Sequence, residues 1–344
     1  MIPRIFVASC LASAFAGPAS AQDVSVHFDL EPARAEQYGL DASEIEQRLD
    51  DALRGQLRLA DIGAFMDAMA DAAAVSSKGM GVDYASNVET FVLGAAIGSG
   101  AQDTGLRLGR GDEALPIGGF AAQLSLMAGA NLGALAGADE GDFSRRVVLY
   151  VNGMSLQAPG TAPFEGSMLQ LGAHVQLQVV QPIQAGIAEW GGLAVTTGYE
   201  RTRYELELAR PLPIGSDVKG GRVTWNAGGT YTLGSTVDAV PVELSTNARL
   251  TFLTLFLGGG ADFNAGRSRA TATLAGPVTA SVDGEEVLLG NATVTGNARG
   301  LADDLVPRAF AGVQIEVLAF KLYGQVNLAG NRAFGGHTGV RLAF

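Results

Sequence analysis

Residues Pro307 to Phe344 read PRAFAGVQIEVLAFKLYGQVNLAGNRAFGGHTGVRLAF, and their alternation decides the fold. Val313, Ile315, Val317 and Ala319 are apolar, while Gly312, Gln314 and Glu316 between them are small or polar. Leu322, Gly324, Val326 and Leu328 repeat the rule against Lys321, Tyr323, Gln325 and Asn327. Phe334, Val340, Leu342 and Phe344 repeat it against Arg341. A period of two sends alternate side chains to opposite faces of a strand. The last apolar position of the last strand is the terminal aromatic, Phe344.

The same period runs upstream as far as Ser86, with Phe91 to Ile97 as the first strand. Its clearest instance sets Leu169, Leu171, Ala173, Val175, Leu177 and Val179 against Gln170, Gly172, His174, Gln176 and Gln178. Trp190 to Tyr199 and Thr202 to Arg210 read as a hairpin pair, with Tyr204, Leu206 and Leu208 outward and Arg203, Glu205 and Glu207 inward. Val223, Trp225, Ala227 and Tyr231 alternate with Arg222, Thr224, Asn226 and Thr230. Leu250 to Leu257 is apolar on both faces, which fits a strand buried on both sides, a bulged strand or a short helix. Asp283-Gly284 is a hairpin signal between two Thr/Ala/Val-rich runs, a pair long enough to reach beyond a bilayer. The candidates amount to about 12–14 strands of a size that crosses a membrane, roughly 9–11 residues each plus turns. The expected fold is all-β, a transmembrane antiparallel β-barrel over 86–344 with a short helical segment before it.

A soluble β-sandwich or a lumenal-ligand barrel would share the period. The strand count exceeds one sandwich, and Gln, Asn, Thr and small residues hold the polar face where a soluble surface would carry more Lys and Glu. Composition agrees. Glycine is abundant at 47 of 344 residues, and mean hydropathy is +0.21. Yet no apolar run beyond the N-terminus approaches the ~18–20 residues of a spanning helix. Alternating strands explain both facts, since lipid-facing residues are diluted by lumen-facing ones. A net charge of −12 argues against a nucleic-acid surface, which needs clustered Lys and Arg.

Residues 1–21 read as an export signal: Arg4, the apolar run Ile5 to Phe15, and Ala19-Ser20-Ala21 as a small-residue cleavage site. The one cysteine, Cys10, falls inside it. Val7-Ala8-Ser9-Cys10 superficially fits a lipoprotein box, but the apolar run continues past it. Residues 22–85 form a plug or a periplasmic segment. Asp41 or Ser43 caps a first helix bearing Ile45, Leu49, Leu53 and Leu57 at four-residue spacing, with Ser43 to Glu46 fitting a capping box. A second helix, Asp61 to Val75, carries Ile62, Phe65, Met66 and Met69 and ends near Gly79. Two such helices bury little alone and must pack on a partner or on the barrel. Leu49, Leu53, Phe65 and Met66 are the plug candidates.

No catalytic or metal motif stands out, and no cofactor is expected. His27, His174 and His337 lie far apart in sequence, outside any tight ligand spacing. A hydrolase built on His174 with Ser125 or Ser167 would need an orienting partner that the sequence does not indicate. The Gly98-Ser99-Gly100 and Gly258-Gly259-Gly260 runs lack the Lys-Ser/Thr of a phosphate loop and read as strand bends. Acidic clusters at predicted turns, such as Asp139-Glu140-Gly141-Asp142, read as solvated loops, or as holders of divalent cations against lipopolysaccharide. The lumen-facing candidates are His174, Gln176, Arg203, Glu205, Glu207, Arg222 and Glu316. Their mixed signs fit a ladder that stiffens a closed barrel better than a single-sign filter.

The terminal Phe344 resembles the C-terminal signal of Gram-negative outer-membrane barrels. That resemblance implies an outer-membrane location, contact with outer-membrane lipid and lipopolysaccharide, and recognition by the barrel-assembly machinery. The order of features is similar to that of the long-chain fatty acid transporter family: a signal peptide, a helical plug, about fourteen strands and a terminal aromatic. The family's Asn-Pro-Ala plug signature has no counterpart, Ser86-Asn87-Val88 being the nearest approach, so no ligand-binding residue carries over. The resemblance implies a non-enzymatic barrel for passive or gated passage of small or hydrophobic solutes. The alternative is a structural or assembly barrel whose helices bind an envelope partner.

Overall fold

Asp283 and Gly284 both adopt positive φ, 49° and 87°, the left-handed pair that a two-residue hairpin turn requires. The computed structural model describes residues 22–57, 62–86, 88, 90–108, 115–139, 141–161, 164–317 and 319–344. The expected export signal, 1–21, lies outside them, as does Asp61. In chain order the elements are β1 (Gln22–Leu30), α1 (Pro32–Gln37), α2 (Ala42–Leu57), α3 (Ile62–Ser76), β2 (Phe91–Leu108), β3 (Leu115–Asn131) and α4 (Leu132–Leu135). Then come β4 (Val147–Thr161), β5 (Phe164–Val180), β6 (Ile183–Ala185), β7 (Ala188–Val218), β8 (Gly221–Leu250) and β9 (Leu253–Val282). The chain ends with β10 (Glu285–Leu301), β11 (Leu305–Val317), β12 (Phe320–Ala329) and β13 (Ala333–Ala343).

The thirteen strands among the described residues form one sheet, within the expected range of about 12–14. Ten of them close into an antiparallel ring, β2-β3-β4-β5-β7-β8-β9-β11-β12-β13 and back to β2. The seam pairs Phe334 with Ala101 and Leu342 with Leu93. β7, β8 and β9 run to 31, 30 and 30 residues, about three times the ~9–11 residues that cross a bilayer. Their lower parts stand in the ring. Their upper parts continue past it and, with β10 and β1, make a five-stranded blade.

The outside of the ring is apolar: Leu93, Ile97, Leu126, Val151, Val242, Leu257, Leu322 and Val326 are all exposed. Phe91, Trp190, Phe252, Phe320 and Phe344 mark the lower edge of this belt, and Phe120, Tyr199, Phe263 and Phe334 the upper edge. A closed ring with an apolar belt between aromatic girdles is the architecture of outer-membrane barrels. In water such a belt would drive association; in lipid it is the ordinary surface. Leu250 to Leu257, left open by periodicity, is a hairpin: β8 stops at Leu250, β9 starts at Leu253, and Thr251 takes φ 53°. Both faces read apolar because the chain reverses at the lower girdle.

Above the upper girdle the strands leave lipid, and one face needs a cover. α2 supplies it, packing Ile45, Leu49 and Leu53 onto Trp225, Val278 and Leu289 on the inner face of the blade. Asp41, not Ser43, is the cap, since the helix starts at Ala42. The Oγ and N–H of Ser43 both donate to Asp41 Oδ1, at 2.7 and 2.9 Å, and these bonds hold its carboxyl below the ordinary range. Ile45→Val removes one buried methyl group and is expected to weaken α2 docking by about 1 kcal/mol. Faster amide exchange confined to 42–57 would report it.

The blade also corrects four lumen-facing assignments. Arg203, Glu205, Glu207 and Arg222 point outward, whereas Tyr204, Val223 and Trp225 point inward. Beyond the irregularity between Trp190 and Leu193, parity along β7 holds: odd residues face out at Val195 and Tyr199 as they do at Arg203. The medium changes instead. In lipid the outward face is the apolar one, and in water it is the polar one, so the same period carries opposite meanings on one strand.

Candidate functional site

The lumen of the ring is occupied by the chain's own N-terminal segment. α3 enters from the blade side, and residues 77–86 continue down the barrel to β2 at the lower rim. Asp67 Oδ1 accepts the Leu301 N–H and Asp71 Oδ1 the Asp303 N–H, each at 2.8 Å, which fixes α3 at the upper mouth. Lower down, Ala68, Ala70, Ala72 and Ala73 present almost no side chain, and the wall opposite them is cut back to glycine. A Cβ on Gly119 would fall 2.0 Å from Ala68 O, one on Gly100 2.3 Å from Ala72 O, and one on Gly300 2.2 Å from Asp67 N. Helix and wall are fitted backbone to backbone. Gly79, in the left-handed region at φ 81°, then turns the chain.

Below α3 the contacts are ionic. Lys78 Nζ lies 3.0 Å from Glu200 and 3.6 Å from Asp262. Arg341 donates to Asp83 Oδ1 at 3.0 Å and to the Val82 carbonyl at 2.7 Å, and its guanidinium lies 3.6 Å from the Tyr323 ring centroid. Arg308 donates to Asp262 at 2.9 Å and to Asn327 at 2.7 Å, and pairs with Glu243. Tyr84 donates to Glu243 at 2.5 Å, and Ser86 accepts from Lys321 and Gln314 at 3.0 Å each. All seven ions (Lys78, Asp83, Glu200, Glu243, Asp262, Arg308, Arg341) are less than a twentieth exposed. Buried charges persist only when paired and hydrogen-bonded, and here the plug supplies part of the pairing: a cation for Glu200 and an anion for Arg341.

The sequence candidates fall into separate groups. His174 and Gln176 face the lumen. His174 Nε2 lies 3.6 Å from Glu200, and Gln176 links Tyr150 to Thr196. Glu316 stands at the lower end, 3.7 Å from Lys321. Of the plug candidates, Met66 is buried at the upper mouth beside Ala298, with Phe65 packed next to it, whereas Leu49 and Leu53 lie outside the ring against the blade. Phe344 stacks near Phe91, ring centroids 4.8 Å apart, at the seam. Ser125 spends its hydroxyl on the Leu126 carbonyl and on Asn152, not on His174. Among the described residues no cluster of three His, Cys, Asp or Glu is placed for a metal.

Sequence reasoning missed the network of Lys78, Glu200, Glu243, Asp262 and Arg308 and the separate pair of Asp83 and Arg341. A usable signal existed: five of them are charges at the inward parity of strands whose outward residues are apolar. Inside such a wall each charge requires a partner.

Three solved structures to which this chain is similar are distant in sequence. The outer-membrane protease OmpT from Escherichia coli is 10% identical, with 74% of this chain and 97% of that one covered at a TM-score of 0.40. The translocator domain of autotransporter NalP from Neisseria meningitidis is 10% identical over 88% and 98%, at 0.27. A Pseudomonas aeruginosa FadL homologue is 8% identical over 81% and 96%, at 0.23. At such scores these likenesses carry nothing on activity or substrate. No curated protein matches. The family profile described as Lsa36-like matches residues 37–344, almost the whole of this plugged barrel, and the chain belongs to the Lsa36-like family.

Proposed function

We propose that the chain is a gated outer-membrane passage for small solutes, closed at rest by its own N-terminal segment. One observation carries this reading: beside an apolar cluster of Val82, Tyr84, Ala85 and Val88 with Val92, Met127, Phe256 and Phe310, the lower plug is held by buried ion pairs and hydrogen bonds to a polar wall. Lys78 and Asp83 can leave Glu200 and Arg341 only if water replaces them, and an opened lumen supplies that water. Gln123, Gln170 and His337 agree, since their buried polar atoms make no hydrogen bond to any described residue. The wall that opening would uncover, with Glu200, Glu243, Asp262 and Arg308, favours small hydrophilic solutes over apolar ones.

A second reading rests on α2. It lies outside the ring, so a structural barrel that holds the blade out for a partner also fits. Conductance in planar bilayers separates the two. The chain from Gln22 is expected to be silent, and one beginning at Ser86 to show steady open steps. Silence from both, with the truncated barrel shown to be folded, would remove the passage and leave the structural role. If the open barrel passes an apolar solute in preference to a sugar, the hydrophilic preference is wrong.

A further inference from the structure

We infer that the outward face of the blade, just above the upper girdle, binds the phosphate groups of a phosphorylated glycolipid in the outer leaflet. The register of β7 to β10 sets two rows side by side on that face. One runs Arg203, Thr236, Arg267, Leu301; the next runs Glu205, Gly234, Arg269, Arg299. Arg269 and Arg299 are direct cross-strand partners, an arrangement of like charges that costs stability unless an anion sits between them. Arg203 is engaged by Glu205 at 3.3 Å, but Arg267, Arg269 and Arg299 make no ion pair with any described residue and are exposed. Nearby Asp67 and Asp71 are committed to backbone N–H groups.

The arginines border a cleft of about 1350 Å³ whose floor, on the β8 side, is Thr232, Gly234 and Thr236. A chain with net charge −12 thus gathers free guanidinium groups in one place, and guanidinium is the side chain suited to two-pronged phosphate contact. The lipid source follows from what lies below. Phe263, Val240 and Leu301 are exposed apolar residues at the edge of the same face, so a headgroup held by the arginines would lay its acyl chains on the belt. Long hairpins mark the outer side of a barrel and short turns the periplasmic side. The blade hairpins at Lys219-Gly220 and Asp283-Gly284 therefore set this face in the outer leaflet.

The test uses the full chain in neutral detergent and measures binding of bis-phosphorylated lipid A by native mass spectrometry. The triple variant Arg267→Gln, Arg269→Gln, Arg299→Gln is expected to bind at least tenfold more weakly, and dephosphorylated lipid A to bind the unaltered chain no better than that. Inorganic phosphate at millimolar concentration is expected not to displace the lipid; displacement would make this a free-anion site and overturn the lipid assignment. Unchanged affinity in the triple variant, with circular dichroism intact, would overturn the site. So would an equal loss on replacing Arg34, Arg48 and Arg222 by Gln, because bulk charge would then explain the binding.

Discussion

Gly119→Val turns a silent barrel into a conducting one, by displacing α3 from its seat. A Cβ at that position falls 2.0 Å from the Ala68 carbonyl oxygen and 2.5 Å from the Met69 nitrogen. Both obstacles are helix backbone, which cannot swing aside as the tip of a side chain does. The wall at Gly119 is held by its β2 partner, Gln102, while β4 joins β3 only lower down, from Leu126 to Asn131. The helix is the freer partner, held at its upper end by the two aspartate contacts at Leu301 and Asp303. Gly228→Val is the control, since a Cβ there meets nothing within 4 Å and should leave the barrel silent. Open steps in the first variant and none in the second, together with new protease cleavage within α3, are the expected result. Silence from a folded Gly119→Val barrel would show that the seat adapts and that glycine is not what keeps the lumen closed.

Arg308→Ala should cost the barrel about 3–5 kcal/mol, the usual penalty for removing one partner of a buried ionic group. Arg308 serves Glu243, Asp262 and Asn327 at once, and its loss leaves two carboxylates buried with Lys78 as the remaining cation beside Asp262. Breaking a pair is costlier than replacing it whole. Adding Glu243→Gln and Asp262→Asn to Arg308→Met is therefore expected to recover part of the loss. Urea unfolding of the refolded barrel in detergent measures both. A loss below about 1 kcal/mol would be the value of a solvated pair and would mean that water already reaches these carboxylates.

The ring was legible in the sequence because lipid imposes one rule on every crossing. The alternations at Leu322 to Leu328 and Leu169 to Val179 each mean one apolar and one polar face, and the structure has both as read. The blade was not legible in the same way. Arg203 and Trp225 obey the same period, but whether the apolar set faces lipid or an internal helix depends on height above the membrane, and no local feature states that height. The plug was half legible. The four-residue spacing of Ile45, Leu49 and Leu53 announced an amphipathic helix without naming the surface it covers. For α3 the informative feature was the scarcity of bulk at Ala68 to Ala74, which matters only against glycines such as Gly119 and Gly300, distant in the chain. Lys78 and Asp83 stand in no motif, and their partners Glu200 and Arg341 are more than a hundred positions away.

The segment inside the ring is moored at both ends. Below, it is covalently continuous with β2 at Phe91; above, β1 is zipped to β10 from Gln22 opposite Ala298 to Leu30 opposite Gly290. Opening therefore cannot mean ejection. Whatever moves aside stays leashed within a few nanometres of its seat, at an effective concentration in the millimolar range set by tether length and not by how much protein is present. Reclosure is then a first-order event, the same in a crowded membrane patch as for a solitary molecule.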